Sequence, residues 1–192
     1  MGDAVRYDGQ HKAFPTISQF FQAHATLHKL CPEMLAGLGT PRPAVELHSI
    51  NNSTQALGVD NLALNVTQAL TDVSQQFSHT EGKYLQGLIV KSRSPSCGFG
   101  STAIKNETSV NKGNGIFTQT ISNNCTHVLI IENDDLTKKE HCEMFLFHCY
   151  ILLDIKKTTP ENRHALEQYY AKQYQWNLSL ETLRTIKIPS GK

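Results

Sequence analysis

The apolar run Leu85-Gln86-Gly87-Leu88-Ile89-Val90 passes directly into Lys91-Ser92-Arg93-Ser94-Pro95-Ser96-Cys97-Gly98. A short apolar run of this kind is a buried strand. The segment after it is too polar for a core, and its proline makes it too stiff for a linker. Together they call for an architecture in which a buried strand ends in a shaped loop, the place where open α/β sheets put ligands. Lys91 and Arg93 make the loop electropositive, and a positive environment lowers a thiol pKa. Cys97 is therefore expected to be a thiolate ligand or nucleophile rather than a structural thiol.

The rest of the chain predicts alternating helices and strands. Helices are expected at 17–30, at 60–78 with Asp60 as cap and Leu62, Val66, Ala69, Leu70, Val73 and Phe77 on one stripe, and at 116–123. Strands are expected at 45–50, 85–90 and 128–131, with a short one at 102–105. Such alternation implies a mainly parallel sheet with helical cover. From Leu136 the pattern turns helical: one helix over 140–154, and another from Thr159-Pro160 to about Gln175, with threonine at the cap and proline in the first turn. These C-terminal helices either pack on the sheet or form a small subdomain. The expected division is an α/β domain over 1–135 and a helical extension over 136–192.

Composition removes several function classes. Lys plus Arg total 18 and Asp plus Glu 17, a net charge of +1, which argues against a nucleic-acid partner held by bulk charge. No apolar run approaches the roughly 20 residues that span a bilayer. The first residues show no leader peptide, so a cytoplasmic location is expected. Five cysteines, odd in number and widely spaced, do not form a disulfide framework in that compartment.

Cys31-Pro32-Glu33 is the second candidate site. Proline stiffens the turn, and a carboxylate two residues from a thiol can move a proton near whatever the thiol binds. Cys31 and Cys97, each in a proline-containing loop, could converge on one metal or cluster. Cys142 and Cys149 share a helical face beside Phe145 and Leu146 and are read as core, and Cys125 as partly buried. His24 and His28 have a metal-compatible spacing but are read as a half-exposed helix face. Ser92, Ser94 and Ser96 lack a nucleophile-elbow pattern and are read as hydrogen-bond donors. Gly113-Asn114-Gly115, which opens a helix, is read as a tight turn in preference to an anion site.

Val5-Arg6-Tyr7-Asp8-Gly9-Gln10-His11-Lys12, Cys31-Pro32-Glu33, Gly37-Leu38-Gly39-Thr40-Pro41-Arg42, the 91–98 loop and Gly113-Asn114-Gly115-Ile116-Phe117 recur in this order in one bacterial family. Over residues 1–135 the chain resembles this family, which includes the thiouracil desulfurases. The resemblance implies a Rossmann-like α/β domain with a 4Fe–4S cluster on three cysteines, one iron being left open for the sulfur of a small thiolated heterocycle. It implies Cys31 and Cys97 as two ligands, Glu33 as the catalytic carboxylate, and one of Ser92, Ser94 and Ser96 as its helper. Family members carry a strand and Cys-Leu-Leu-Gly before the Val-Arg-Tyr-Asp-Gly motif, whereas this sequence opens with Met1-Gly2. The expectation is therefore a cluster one ligand short, absent from this chain, and a desulfurase inactive as given. The alternatives are a cluster-free small-molecule-binding module that keeps the family pocket, and a two-cysteine metal or redox protein.

Overall fold

The structure is a computed structural model that describes residues 5–10 and 13–157, together with positions 159, 162 and 165. The elements run α1 (Pro15–His24), α2 (Pro32–Leu35), β1 (Val45–Ile50), β2 (Ser53–Gly58), α3 (Thr67–His79), β3 (Gly87–Val90), β4 (Thr102–Lys105), β5 (Val110–Gly113), α4 (Ile116–Asn124), β6 (Leu129–Glu132) and α5 (Lys139–Lys157). Short 3₁₀ turns precede β3 and follow β6.

This is a mixed α/β fold, but the single, mainly parallel, Rossmann-like sheet expected from the sequence is not formed among the described residues. Four strands make one sheet in the order β2-β1-β4-β5, and β3 pairs with β6 in another. The 45–50 run therefore lies apart from the 85–90 and 128–131 runs. Only β1–β4 and β3–β6 are parallel pairs; β1–β2 and β4–β5 are antiparallel. The cause is local turn chemistry. Asn51 and Asn52 both take positive φ, 51° and 59°, the conformation that closes a two-residue hairpin. Asn106 closes the second hairpin: its Oδ1 accepts from the Thr108 and Ser109 amides at 3.1 and 2.6 Å. Each hairpin supplies an adjacent antiparallel partner at little loop-closure cost.

Helix bounds differ for similar reasons. Pro15 starts α1, and the helix stops at His24, six residues short of the expected end. Beyond it Leu27 and Leu30 pack against different cores, which a continuing helix would not allow. His28 thus lies outside the helix, and the spacing of His24 and His28 has no helical meaning. The expected start at Asp60 moves to Thr67, because Asn61 and Asn65 fold 61–66 into side-chain-capped turns and leave Leu62 exposed. The expected helix from Thr159 to Gln175 lies largely outside the described residues.

Alternate residues of the β3–β6 pair face opposite layers. Ile89, Leu129 and Ile131 meet α1 and α5 through Ile17, Phe21, Phe145 and Leu152. Leu88, Val128 and Ile130 meet Phe77 of α3 and Phe117 and Ile121 of α4. Helix α3 joins this layer to the larger sheet, since its Leu70 packs with Leu47 of β1 and Ala56 of β2. The first helix after residue 135 is thus part of the same packing, edge to face on α1 through Phe145 and Phe21. Among the described residues no helix is long and apolar enough to cross a membrane.

Candidate functional site

The 91–98 loop leaves the C-terminal end of β3 and is held by its own serines. Ser92 donates its amide to Asn133 Oδ1 at 2.8 Å, tying the loop to the end of β6. Ser94 Oγ accepts from the Cys97 amide at 3.2 Å, and the Ser94 carbonyl accepts from Thr102 Oγ1 at 2.9 Å. Arg93 adopts a φ of 59° and pairs with Asp134 at 2.8 Å on the surface. Buried Glu132 receives the Phe99 amide and the Ser101 hydroxyl, at 2.6 and 2.5 Å.

The start of α4 closes over the same loop. Ile116 and Phe117 donate their amides to the Pro95 and Ser96 carbonyls, at 3.0 and 2.9 Å, and Gly115 donates to Gly98 at 2.8 Å. Thr118 Oγ1 donates to the Cys97 carbonyl at 2.6 Å. The first helical donors are therefore spent on the loop backbone, in line with a structural role for the 113–115 segment. A Cβ at Gly115 would stand on the Ser96 backbone and 2.6 Å from the Cys97 amide nitrogen, so this contact admits only glycine.

Cys31 precedes α2, and Glu33 lies in its first turn. Glu33 meets Ser96 across the site: Ser96 Oγ donates to Oε1 at 2.5 Å. Arg42 Nε donates to Oε2 at 2.6 Å. Ser96 is thus the serine of the three that reaches Glu33, while Ser92 and Ser94 brace the loop. The Cys97 thiol lies close enough to Glu33 and Cys31 for their charges to act on it. The structure therefore brings Cys31, Glu33, Ser96 and Cys97 to one place.

The expected acidification of Cys97 is overturned. Burial first, then the charge of the Glu33 carboxylate and the neighbouring Cys31 thiol, push its thiol up to about 12. Lys91 pulls the other way but is outweighed, and Arg93 is engaged with Asp134.

All five cysteines are free, and the other three lie elsewhere. Cys125 is buried with Phe77, Phe117 and Ile121, and Cys142 and Cys149 lie on α5 and are buried in the core it shares with α1 and the β3–β6 pair. Among the described residues no group of three or more His, Cys, Asp and Glu side chains is arranged to hold a metal ion. Arg42 ends the Gly37–Arg42 motif, and residue type alone does not mark it as a partner of Glu33. Its only signal was an arginine nine residues after an acidic one across a glycine- and proline-rich turn, a separation that means nothing until the turn folds.

Two thiols and a guanidinium-held carboxylate are thus gathered on loops at the end of a strand of a mixed α/β protein. A family model described as 2-thiouracil desulfurase matches residues 1–133, and the chain belongs to that family. Its fold is similar to that of a solved [4Fe–4S]-dependent thiouracil desulfidase, TudS, with a TM-score of 0.51 and 25% sequence identity over 70% of this chain and 86% of that one. No curated protein matches the chain. TudS depends on a [4Fe–4S] cluster. Of the five thiols, Cys31 and Cys97 reach the site, two of the three cysteines implied by the family resemblance.

Proposed function

We propose that the protein is built for desulfuration of a small thiolated heterocycle such as a thiopyrimidine, with Glu33 as the proton-moving group. The observation that carries this reading is the Glu33 carboxylate, gripped on one oxygen by Arg42 and on the other by Ser96, beside Cys31 and Cys97. Glu33 takes a proton from a water, whose oxygen forms a bond to the thiocarbonyl carbon. The carbon–sulfur bond then breaks as the new hydroxyl oxygen gives up its remaining proton and becomes a carbonyl, and sulfur leaves with both protons of the original water, one returned by Glu33, as hydrogen sulfide. Carbon and sulfur keep their oxidation states. Ser96 keeps the carboxylate turned toward the reacting atoms. Cys31 and Cys97 are the proposed ligands on the metal side.

The two thiols at the site are one fewer than the set the family resemblance implies. That count favours a second reading, a cluster-free module that binds the heterocycle without converting it. Five free thiols suit a reducing, cytoplasmic setting. Residues 1–135 are proposed as the desulfurase-like unit, with 136–192 as its helical extension.

The test supplies a third thiolate by fusing a strand ending in Cys-Leu-Leu-Gly upstream of the chain, then rebuilds the cluster anaerobically and measures sulfide release from 2-thiouracil. Sulfide is expected. Glu33→Gln should retain iron and lose about 10²–10⁴-fold in rate, the usual share of a general acid–base group. Cys97→Ser should lose iron and activity together. Full activity of Glu33→Gln would end the mechanism. Tight heterocycle binding with no sulfide, despite a complete cluster, would favour the binding module.

A further inference from the structure

Glu33 has no means of fixing its own side chain. It sits in the first turn of a four-residue helix, and a helix this short imposes little on a flexible carboxylate. What fixes it is Arg42, whose side chain is 6% exposed. Nε and Nη2 both lie 2.6 Å from Glu33 Oε2. Nη1 donates to the Gly39 carbonyl at 2.6 Å, and Nη2 to the Val5 carbonyl at 2.9 Å. The backbone amide of Arg42 donates to the Tyr7 carbonyl at 2.8 Å. One residue therefore gathers the 5–7 segment, the glycine turn at 39 and α2. The same guanidinium lies 4.0 Å from the Cys31 sulfur.

We propose that Arg42 is a positioning residue for the reaction: it orients the Glu33 carboxylate between the two loops, and the rate of desulfuration depends on that orientation. The geometry stands by itself; the catalytic consequence rests on the desulfidase reading above. A planar fork is required. Arginine presents donors in several fixed directions, so it can hold a carboxylate and two carbonyls at once, whereas lysine is a point charge on one nitrogen. With Oε2 held by Arg42 and Oε1 by Ser96, the carboxylate plane has little freedom to rotate. If the fork is removed, Ser96 alone remains and Glu33 can swing away. Misplacement of a reacting group by about 1 Å can cost on the order of 10²-fold in rate.

The test has two parts. In the 192-residue chain, Arg42→Gln, Glu33→Gln and the double variant are compared by thermal melting. Arg42→Gln should lower the Tm by roughly 5–10 °C when Glu33 is present, because a buried charge loses its partner, and by clearly less in the Glu33→Gln background. Equal losses in both backgrounds would overturn the proposal. In the fused, cluster-bearing chain described above, Arg42→Lys should keep its iron content and substrate KM while kcat falls about 10- to 100-fold. A purely structural clamp would lower Tm or iron content and spare the kcat of the folded, loaded fraction. That result would overturn the positioning role. If the fused parent chain holds its cluster and releases no sulfide while the melting cycle shows coupling, the desulfidase reading fails and the Arg42 hold on Glu33 stands.

Discussion

Gly115→Ala should damage the candidate site without touching any side chain proposed for it. The added methyl carbon would lie 2.6 Å from the Cys97 amide nitrogen and 2.6 Å from the Ser96 carbonyl oxygen. Both are backbone atoms, so neither can rotate out of the way. Ordinary contact needs about 3.5 Å, so the loop and the start of α4 must separate by on the order of 1 Å. That strains four bonds: Gly115 to Gly98, Ile116 to Pro95, Phe117 to Ser96, and Thr118 to Cys97. Overpacking costs typically 1–3 kcal/mol and each weakened bond up to about 1 kcal/mol. A loss of about 3 kcal/mol is expected. For a chain of this size that is a Tm drop of roughly 6–12 °C. Gly113→Ala is the control, because its new methyl would meet only the end of the Ile104 side chain, which can turn aside. Urea denaturation and thermal melting measure both variants. If Gly115→Ala melts within about 1 °C of the parent while Gly113→Ala behaves alike, α4 is not packed on the Cys97 loop as described.

The core thiols should be dispensable for chemistry. Cys142→Ser, at a fully buried position whose sulfur lies 3.7 Å from the Leu136 carbonyl, should cost about 1–2 kcal/mol and leave the iron content of the fused chain unchanged; a loss of iron would put this thiol in the site. Asp135 offers a pH test. Burial, then the charges of Glu132 and Asp134, raises its carboxyl above the ordinary 3.8. The native state therefore holds this proton more tightly than the unfolded chain, and stability falls as pH rises through 3.8 toward the native value. Asp135→Asn should match the parent below that window and gain up to about 1 kcal/mol above it, a modest gain because the group is partly exposed; urea midpoints across the window would refute the sign if the gain shrank as pH rose.

Much of this protein is written into local sequence. The runs at 102–105 and 128–131 and the helix at 116–123 appear where apolar spacing puts them, to within a residue. The cysteines divide by their neighbours: Cys142 and Cys149 sit among aromatic and aliphatic residues and are buried, whereas Cys31 and Cys97 sit in polar, proline-bearing loops and stay partly exposed. Short-range physics suffices for such features, because burial of a side chain follows the polarity of the residues around it. Strand pairing does not work this way. Apolar spacing tells which face of a strand is buried and is silent about the neighbour on its edge. The Asn51-Asn52 turn and the Asn106 side chain made that choice, and so a parallel sheet was expected where hairpins formed. The site obeys the same division. Glu33 and the serine loop could be named from their residue types, but Ser96 and Arg42 became its partners only through closure of chain separated by 63 and 9 residues. The Cys97 thiol is the sharpest case: lysine and arginine beside it in sequence argue for a lowered pKa, whereas the fold desolvates the sulfur, turns Arg93 to Asp134 and sets Glu33 against it, and the pKa rises. Electrostatic energy depends on distance and dielectric in three dimensions, and sequence adjacency carries neither.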